Sequence, residues 1–238
     1  MKKIIFILLL VTHCSAFSAP LSVGFLRFSP PYSNMTNKNL FFGFNIDLMD
    51  AICQKLRQKC VYKPIMLNQQ FADLDEGVVD LIFSPNPLST TKTQHYIFSL
   101  PYLNSDAQFV TLKSSTIDDL ADLKNKKIGV IAITYYPSLA KTHFATENHI
   151  IQYKVVNDMI PDLMNHKIDA IIINAHLAKY ILGYNNNTIK AVGNKIPLGE
   201  GFGIMSLPKN KALIEQINKI LEELEADGTY LTIYKRYF

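Results

Sequence analysis

The sequence predicts an α/β protein of two like lobes, each a mostly parallel sheet flanked by helices. Three observations predict this class. Short apolar runs alternate with helix-period segments, which calls for crossover connections between parallel strands. A second series of the same kind begins near Gln108. Finally, Asp80-Leu81-Ile82-Phe83-Ser84 has a counterpart in Asp169-Ala170-Ile171-Ile172-Ile173-Asn174. Each follows a short helix and consists of an acid, an apolar run, and a polar residue at the strand's C-terminal end.

The elements follow in order. Met1-Lys2-Lys3, the apolar run Ile4 to Val11 and the small or polar Ser15, Ala16 and Ser18 have the layout of a secretory signal peptide over residues 1–18. That run is too short to span a bilayer of roughly 30 Å. Ala16-Phe17-Ser18 and Cys14-Ser15-Ala16 both fit a cleavage site, and His13 argues against a lipid anchor on Cys14. Leu21 to Leu26 reads as a strand ended by Ser29-Pro30-Pro31. Phe44 to Lys59 reads as a helix with Met49, Ile52, Cys53 and Leu56 on one face. Val61 to Leu67 is a strand, a short helix runs through Phe71 and Leu74 to Gly77, and Leu81-Ile82-Phe83 is a buried strand.

The second series comprises strands 108–112, 127–132, 150–155 and 170–173 and helices 117–123, 137–144, 159–166 and 175–182. Gly203 to Ser206 returns to strand. A helix then spans Lys211 to Asp227, with Leu213, Ile214, Ile217, Ile220, Leu221 and Leu224 as its apolar stripe, and Gly228 ends it.

Composition excludes some classes. The 24 Lys and Arg against 20 Asp and Glu leave no basic stripe of the kind a nucleic-acid binder needs. Cys53 and Cys60 fit neither CxxC chemistry nor a zinc pattern. In an oxidising compartment they read as a structural disulfide joining a helix end to the next strand. The histidines at 13, 95, 143, 149, 166 and 176 lack metal-ligand spacing, so no metal and no cofactor are expected.

Open parallel sheets bind ligands beyond the C-terminal ends of their strands. Polar or aromatic groups stand at four such ends: Phe28 to Tyr32, Ser84 to Lys92 (with Asn86), Thr134-Tyr135, and Asn174. If the lobes face each other, these loops converge on one cleft. Each residue also has a plainer reading. Phe28 and Tyr32 would serve equally as packing, Ser84 as a strand end, Lys92 as a solvated lysine, and Asn174 or Thr134 as the start of the next helix.

Five stretches, in order, resemble the periplasmic amino-acid-binding proteins of ABC importers, bacterial extracellular solute-binding proteins of family 3. They are Pro30-Pro31-Tyr32, Gly43-Phe44-Asn45-Ile46-Asp47-Leu48, Phe98-Ser99-Leu100-Pro101-Tyr102, Lys127-Ile128-Gly129-Val130 and Ala226-Asp227-Gly228-Thr229-Tyr230. The Cys53–Cys60 spacing resembles the disulfide of the histidine and lysine/arginine/ornithine branch. The resemblance implies the two-lobe periplasmic-binding-protein fold of type II, crossed twice by the chain. Lobe one would hold residues 19–104 and 202–238, and lobe two residues 105–201, with hinges near Leu103–Asp106 and Lys195–Gly201. It further implies a monomeric periplasmic protein that hands a small polar molecule to a membrane permease.

The family's ligand groups are an arginine on the α-carboxylate and an aspartate on the α-ammonium. Those positions are Lys92 and Asn174 here. Lysine cannot form a planar two-bond fork, and a neutral amide makes a weaker bond than a carboxylate. Pro87 lacks the N–H that the family's residue offers. The acids that line the cationic side-chain pocket fall at Leu26 and Asn45, and the stacked aromatic at Ser29, beside Phe28 and Tyr32. These departures predict weak binding of ordinary α-amino acids. Two other functions fit the same fold: a ligand sensor or surface protein without transport, and a dehydratase-like enzyme in the same cleft. Against the enzyme, no GxSxG, HExxH or P-loop pattern occurs, and Gly199-Glu200-Gly201-Phe202-Gly203 precedes a strand, suiting a crossing between lobes better than a nucleotide loop.

Overall fold

The structure, a computed structural model, describes residues 19–85, 95–134, 139, 142–185 and 187–238. The signal-peptide reading and half of the predicted helix 137–144 lie outside these residues.

Two five-stranded sheets organise the chain. The first contains β1 (Leu21–Leu26), β5 (Cys60–Ile65), β6 (Leu81–Ile82), β7 (Ile97–Phe98) and β13 (Met205–Ser206), in the order β5-β1-β6-β13-β7. The second contains β8 (Ala107–Leu112), β9 (Lys127–Ile131), β10 (His149–Tyr153), β11 (Ala170–Asn174) and β12 (Ile189–Ile196), in the order β10-β9-β11-β8-β12. In each, three parallel strands are followed by two antiparallel pairings, so the parallel part is the side built by crossovers. A small antiparallel sheet of β2 (Phe28–Ser29), β3 (Ser33–Met35) and β4 (Phe41–Phe42) extends from the end of β1.

The sheets share one internal device. The Asp80 carboxylate accepts from the Ser22 N–H at 2.8 Å and the Ser22 hydroxyl at 2.6 Å, fastening the start of β1 to the start of β6. The Asp169 carboxylate accepts from the Lys127 N–H at 2.7 Å, fastening β9 to β11 in the same way. The hydroxyl of the antiparallel neighbour then donates to each acid's own carbonyl, Ser206 to Asp80 and Thr111 to Asp169, both at 2.6 Å. The acid that opens each related segment therefore sets strand register.

Helices cover the sheets. In the first unit these are α1 (Phe44–Leu56), α2 (Gln70–Asp75), α6 (Lys211–Ala226) and α7 (Thr229–Tyr237); in the second they are α3 (His143–Glu147), α4 (Val156–Met164) and α5 (Ala175–Asn185). α1 ends at Leu56 rather than Lys59 because Arg57 turns left-handed at φ 54°, sending the chain back into β5. That reversal sets Cys53 and Cys60 6.2 Å apart at Cα, joined as the expected disulfide. The predicted helix 117–123 is a single 3₁₀ turn, Leu120–Leu123, held by reciprocal bonds of Asp119 and Asp122 and followed by the left-handed Asn125. β12 was not legible as a strand because its pairing shifts register after Val192, where Gly193 has φ 58°.

The first core gathers Phe25, Phe44, Met49 and Ile52 with Ile214, Ile217, Leu221 and Leu224 of the predicted stripe. The second sheet is cored on both faces, around Phe109, Ile128 and Ile172 on one side and Val110, Ile171 and Met159 on the other. Two crossings join the units side by side. Phe202 N–H donates to Leu103 O and Tyr102 N–H to Phe202 O, both at 2.8 Å. Gly201, at φ 105°, lets them touch, since a Cβ there would lie 2.9 Å from Leu103 O.

Candidate functional site

The site starts where β1 ends. The carbonyls of Pro31 and Tyr32 accept from the N–H groups of Phe44 and Asn45 at 3.0 and 2.9 Å, so the loop caps the open N-terminus of α1. Gly43 makes this approach possible, because at φ 132° a Cβ would lie 2.5 Å from Tyr32 O. Tyr32 is thereby fixed with its ring 1% exposed, edge-on to Phe202 at 6.1 Å and tilted against Phe238 at 6.2 Å.

Its hydroxyl crosses to the other lobe and donates to Oδ1 of Asn174, the last residue of β11. Asn174 is 4% exposed. The same oxygen accepts from the N–H of His176 at 2.8 Å and of Leu177 at 3.4 Å, which makes Asn174 the cap of α5. Nδ2 donates to Asp106 O at 3.1 Å, on the first crossing. A strand end, a helix start, a crossing and the opposite lobe are joined through one amide.

Aromatic rings surround this junction. His176 lies 4.6 Å from the Phe238 ring, and its Nε2 is 3.4 Å from the Tyr234 hydroxyl. Burial holds the His176 imidazole down at about 4; Lys195 and Lys179 push the same way and Asp106 opposes them. Lys179 Nζ donates to the main-chain oxygen of Phe238. Leu177 packs on the first lobe's core as well as its own. α5 and α7 therefore form a second bridge between the lobes. A hollow of about 310 Å³ beside it is lined by Tyr102, Asn104, His176, Glu225, Tyr230 and Tyr234, none of them a sequence-predicted site residue.

The predicted residues divide into three groups. Tyr32, Asn45, Ser84 and Asn174 are buried and connected. Asn45 Nδ2 reaches Phe83 O at 3.3 Å and the Tyr102 hydroxyl at 3.5 Å, and Ser84 donates to Gln70 at 2.8 Å. Asn45 Oδ1 and His176 Nδ1 are buried without a hydrogen-bond partner among the described residues. Phe28 stands apart, 61% exposed on the small sheet, and Thr134 is buried in the turn after β9, its hydroxyl 3.4 Å from Ile131 O. Leu26 packs beside Ile65, Ile82 and Met205. Asn86, Pro87, Lys92 and Tyr135 lie outside the described residues. Sequence reasoning missed His176, Lys179, Tyr234 and Phe238. Tyr230, Tyr234, Tyr237 and Phe238 recur at helical spacing after Gly228, a signal sufficient to predict α7 but not what it would meet.

The fold is that of a two-lobe α/β protein. The profile of the bacterial extracellular solute-binding proteins, family 3, matches residues 21–238, and the chain belongs to that family. Membership places it among solute-binding proteins rather than enzymes. It is 28% identical over 244 residues to "ABC transporter arginine-binding protein 1" of Escherichia coli K12, covering 100% of this chain and 99% of that one. It is 30% identical over 207 residues to the "Probable histidine-binding protein" of Campylobacter jejuni, with 86% and 79% covered. Among solved structures, a periplasmic binding protein of an "arginine 3rd transport system" from Legionella pneumophila superposes with TM-score 0.86 at 37% identity, over 93% of this chain and 100% of that one. An ancestral arginine-binding protein bound to glutamine gives TM-score 0.81 at 30% identity, with 92% and 97% covered. Among the described residues no helix is long and apolar enough to cross a membrane, and no group of three or more His, Cys, Asp or Glu is placed to hold a metal.

Proposed function

We propose that this chain is exported after removal of residues 1–18 and acts in the periplasm as the monomeric solute-binding protein of an ABC importer. It takes an amino acid or related small polar compound between its lobes and hands it to a membrane permease. The division runs at 19–104 with 202–238 against 105–201, and the hinges are Leu103–Asp106 and Lys195–Gly201. The observation that carries this reading is the meeting of two strand-end groups, Tyr32 and Asn174, across paired crossings in a chain of this family. Phe28, Ser84, Asn86, Lys92, Thr134 and Tyr135 complete the proposed cleft, with Asn45 behind Tyr32.

The relatives' names point to arginine and histidine as the first solutes to test. The neutral Asn174, Asn45 and Leu26 support weaker retention of such zwitterions here than a site with carboxylates would give. The test is a thermal-shift screen over amino acids, small acids and amines. A true ligand at about 100 times its Kd adds about 2.7 kcal/mol and raises the melting temperature. X-ray scattering with that ligand then shows a more compact particle as the hinges close. A screen without any shift, or a bound ligand that leaves the scattering curve unchanged, overturns the proposal.

A further inference from the structure

Asn174 stands where an open sheet offers groups to a ligand, yet its acceptor is already in use. A carbonyl oxygen has two lone pairs. Oδ1 of Asn174 takes the N–H groups of His176 and Leu177 and the hydroxyl of Tyr32. The two helix N–H donors, with Asp106 O opposite Nδ2, also fix which end of the amide is oxygen. Tyr32 cannot easily turn away. Its main chain caps α1, and its ring is held between Phe202 and Phe238.

We infer that Tyr32 is a selectivity residue of the inter-lobe cleft: its phenol takes the Asn174 oxygen that a solute ammonium would need, so the cleft favours solutes without an ammonium at that end. This rests on the solute-binding reading above. A solute N–H can reach Asn174 only by displacing a bond already formed in a buried setting, and so gains only the difference between two hydrogen bonds. The neutral amide fits the same arrangement. A carboxylate at 174 would put an oxygen where Nδ2 now stands 3.1 Å from Asp106 O, setting two acceptors against each other.

The test compares L-arginine with its deaminated counterpart, which keeps the carboxylate and guanidinium but lacks the α-ammonium. Calorimetry measures both affinities on the native protein and on Tyr32→Phe. The ratio within each protein cancels any change in lobe closure common to both solutes. Native protein should hold the deaminated compound at least as tightly as arginine. Tyr32→Phe should shift the ratio toward arginine by about five- to tenfold, the value of one freed hydrogen bond. An unchanged ratio in two proteins that both bind overturns the inference and leaves solute binding intact. Alongside, the melting temperatures of ligand-free Tyr32→Phe, Asn174→Ala and the double variant form a cycle. Losses smaller in combination than in sum support the occupied acceptor, whereas additive losses overturn it. A coupled cycle in proteins that bind no solute at all supports the tie between Tyr32 and Asn174 and removes the solute-binding reading instead.

Discussion

The two sheets begin alike and end differently. Asp80 and Asp169 occupy equivalent places and do the same work on their neighbouring strands. At the other end of those strands, Ser84 turns into its own lobe to bond Gln70, whereas Asn174 reaches α5, Asp106 and Tyr32. A repeated fold keeps the groups that set strand register and frees those at the strand ends. A residue at the freed end can take on other partners without disturbing the ladder.

The largest expected effect separates those two ends. Asn174→Ala removes a helix cap together with the bonds to the Tyr32 hydroxyl and the Asp106 carbonyl, and should cost about 3 kcal/mol in urea unfolding. Ser84→Ala loses the bond to Gln70 within a lobe and should cost about 1 kcal/mol. Equal losses would mean that Asn174 joins nothing across the lobes.

The next contrast is the staple. Among the described residues only the first lobe carries a disulfide, closing a short loop between Cys53 and Cys60. Replacing both cysteines by serine should lower stability by ~2–3 kcal/mol and shift hydrogen exchange in α1 and β5 before that in β9 to β11. Two free thiols in protein purified from periplasm would remove the staple altogether.

A smaller difference should divide the two register acids. Asp80 is partly buried and takes two bonds on its carboxylate, while Asp169 is exposed and takes one. Asp80→Ala should cost about 2 kcal/mol and Asp169→Ala about 1 kcal/mol, read from denaturation midpoints at constant slope. The reverse order would break the claimed equivalence.

The last effect is one of pH at the lobe bridge. Burial holds the His176 imidazole down at about 4 in the folded protein, below the ordinary histidine value of about 6.5, so between those values the unfolded chain binds a proton that the folded one does not. Stability should therefore fall as pH drops from about 6.5 to about 4, by ~1–2 kcal/mol after allowance for solvent screening. His176→Phe should flatten that part of the curve. An unchanged slope would place the imidazole in water rather than between Phe238 and Tyr234.

What the sequence determined by itself was local and periodic. Alternating strands and helices, the acid-led segments at 80–84 and 169–174, the apolar stripe from Leu213 to Leu224 and the cysteine pair were all readable, because each is set by neighbours a few residues away. Asn174 could be read in two ways, as cap or as ligand group, and tertiary structure established the cap and added the bond to Tyr32. No spacing rule joins positions 32 and 174, or places Phe238 against His176. Those contacts depend on how two separately cored lobes are set by their crossings, and on small features such as Gly43 and Gly201 that let one backbone approach another. Periodicity shows which face of an element is buried; only the packed chain shows which element lies against it.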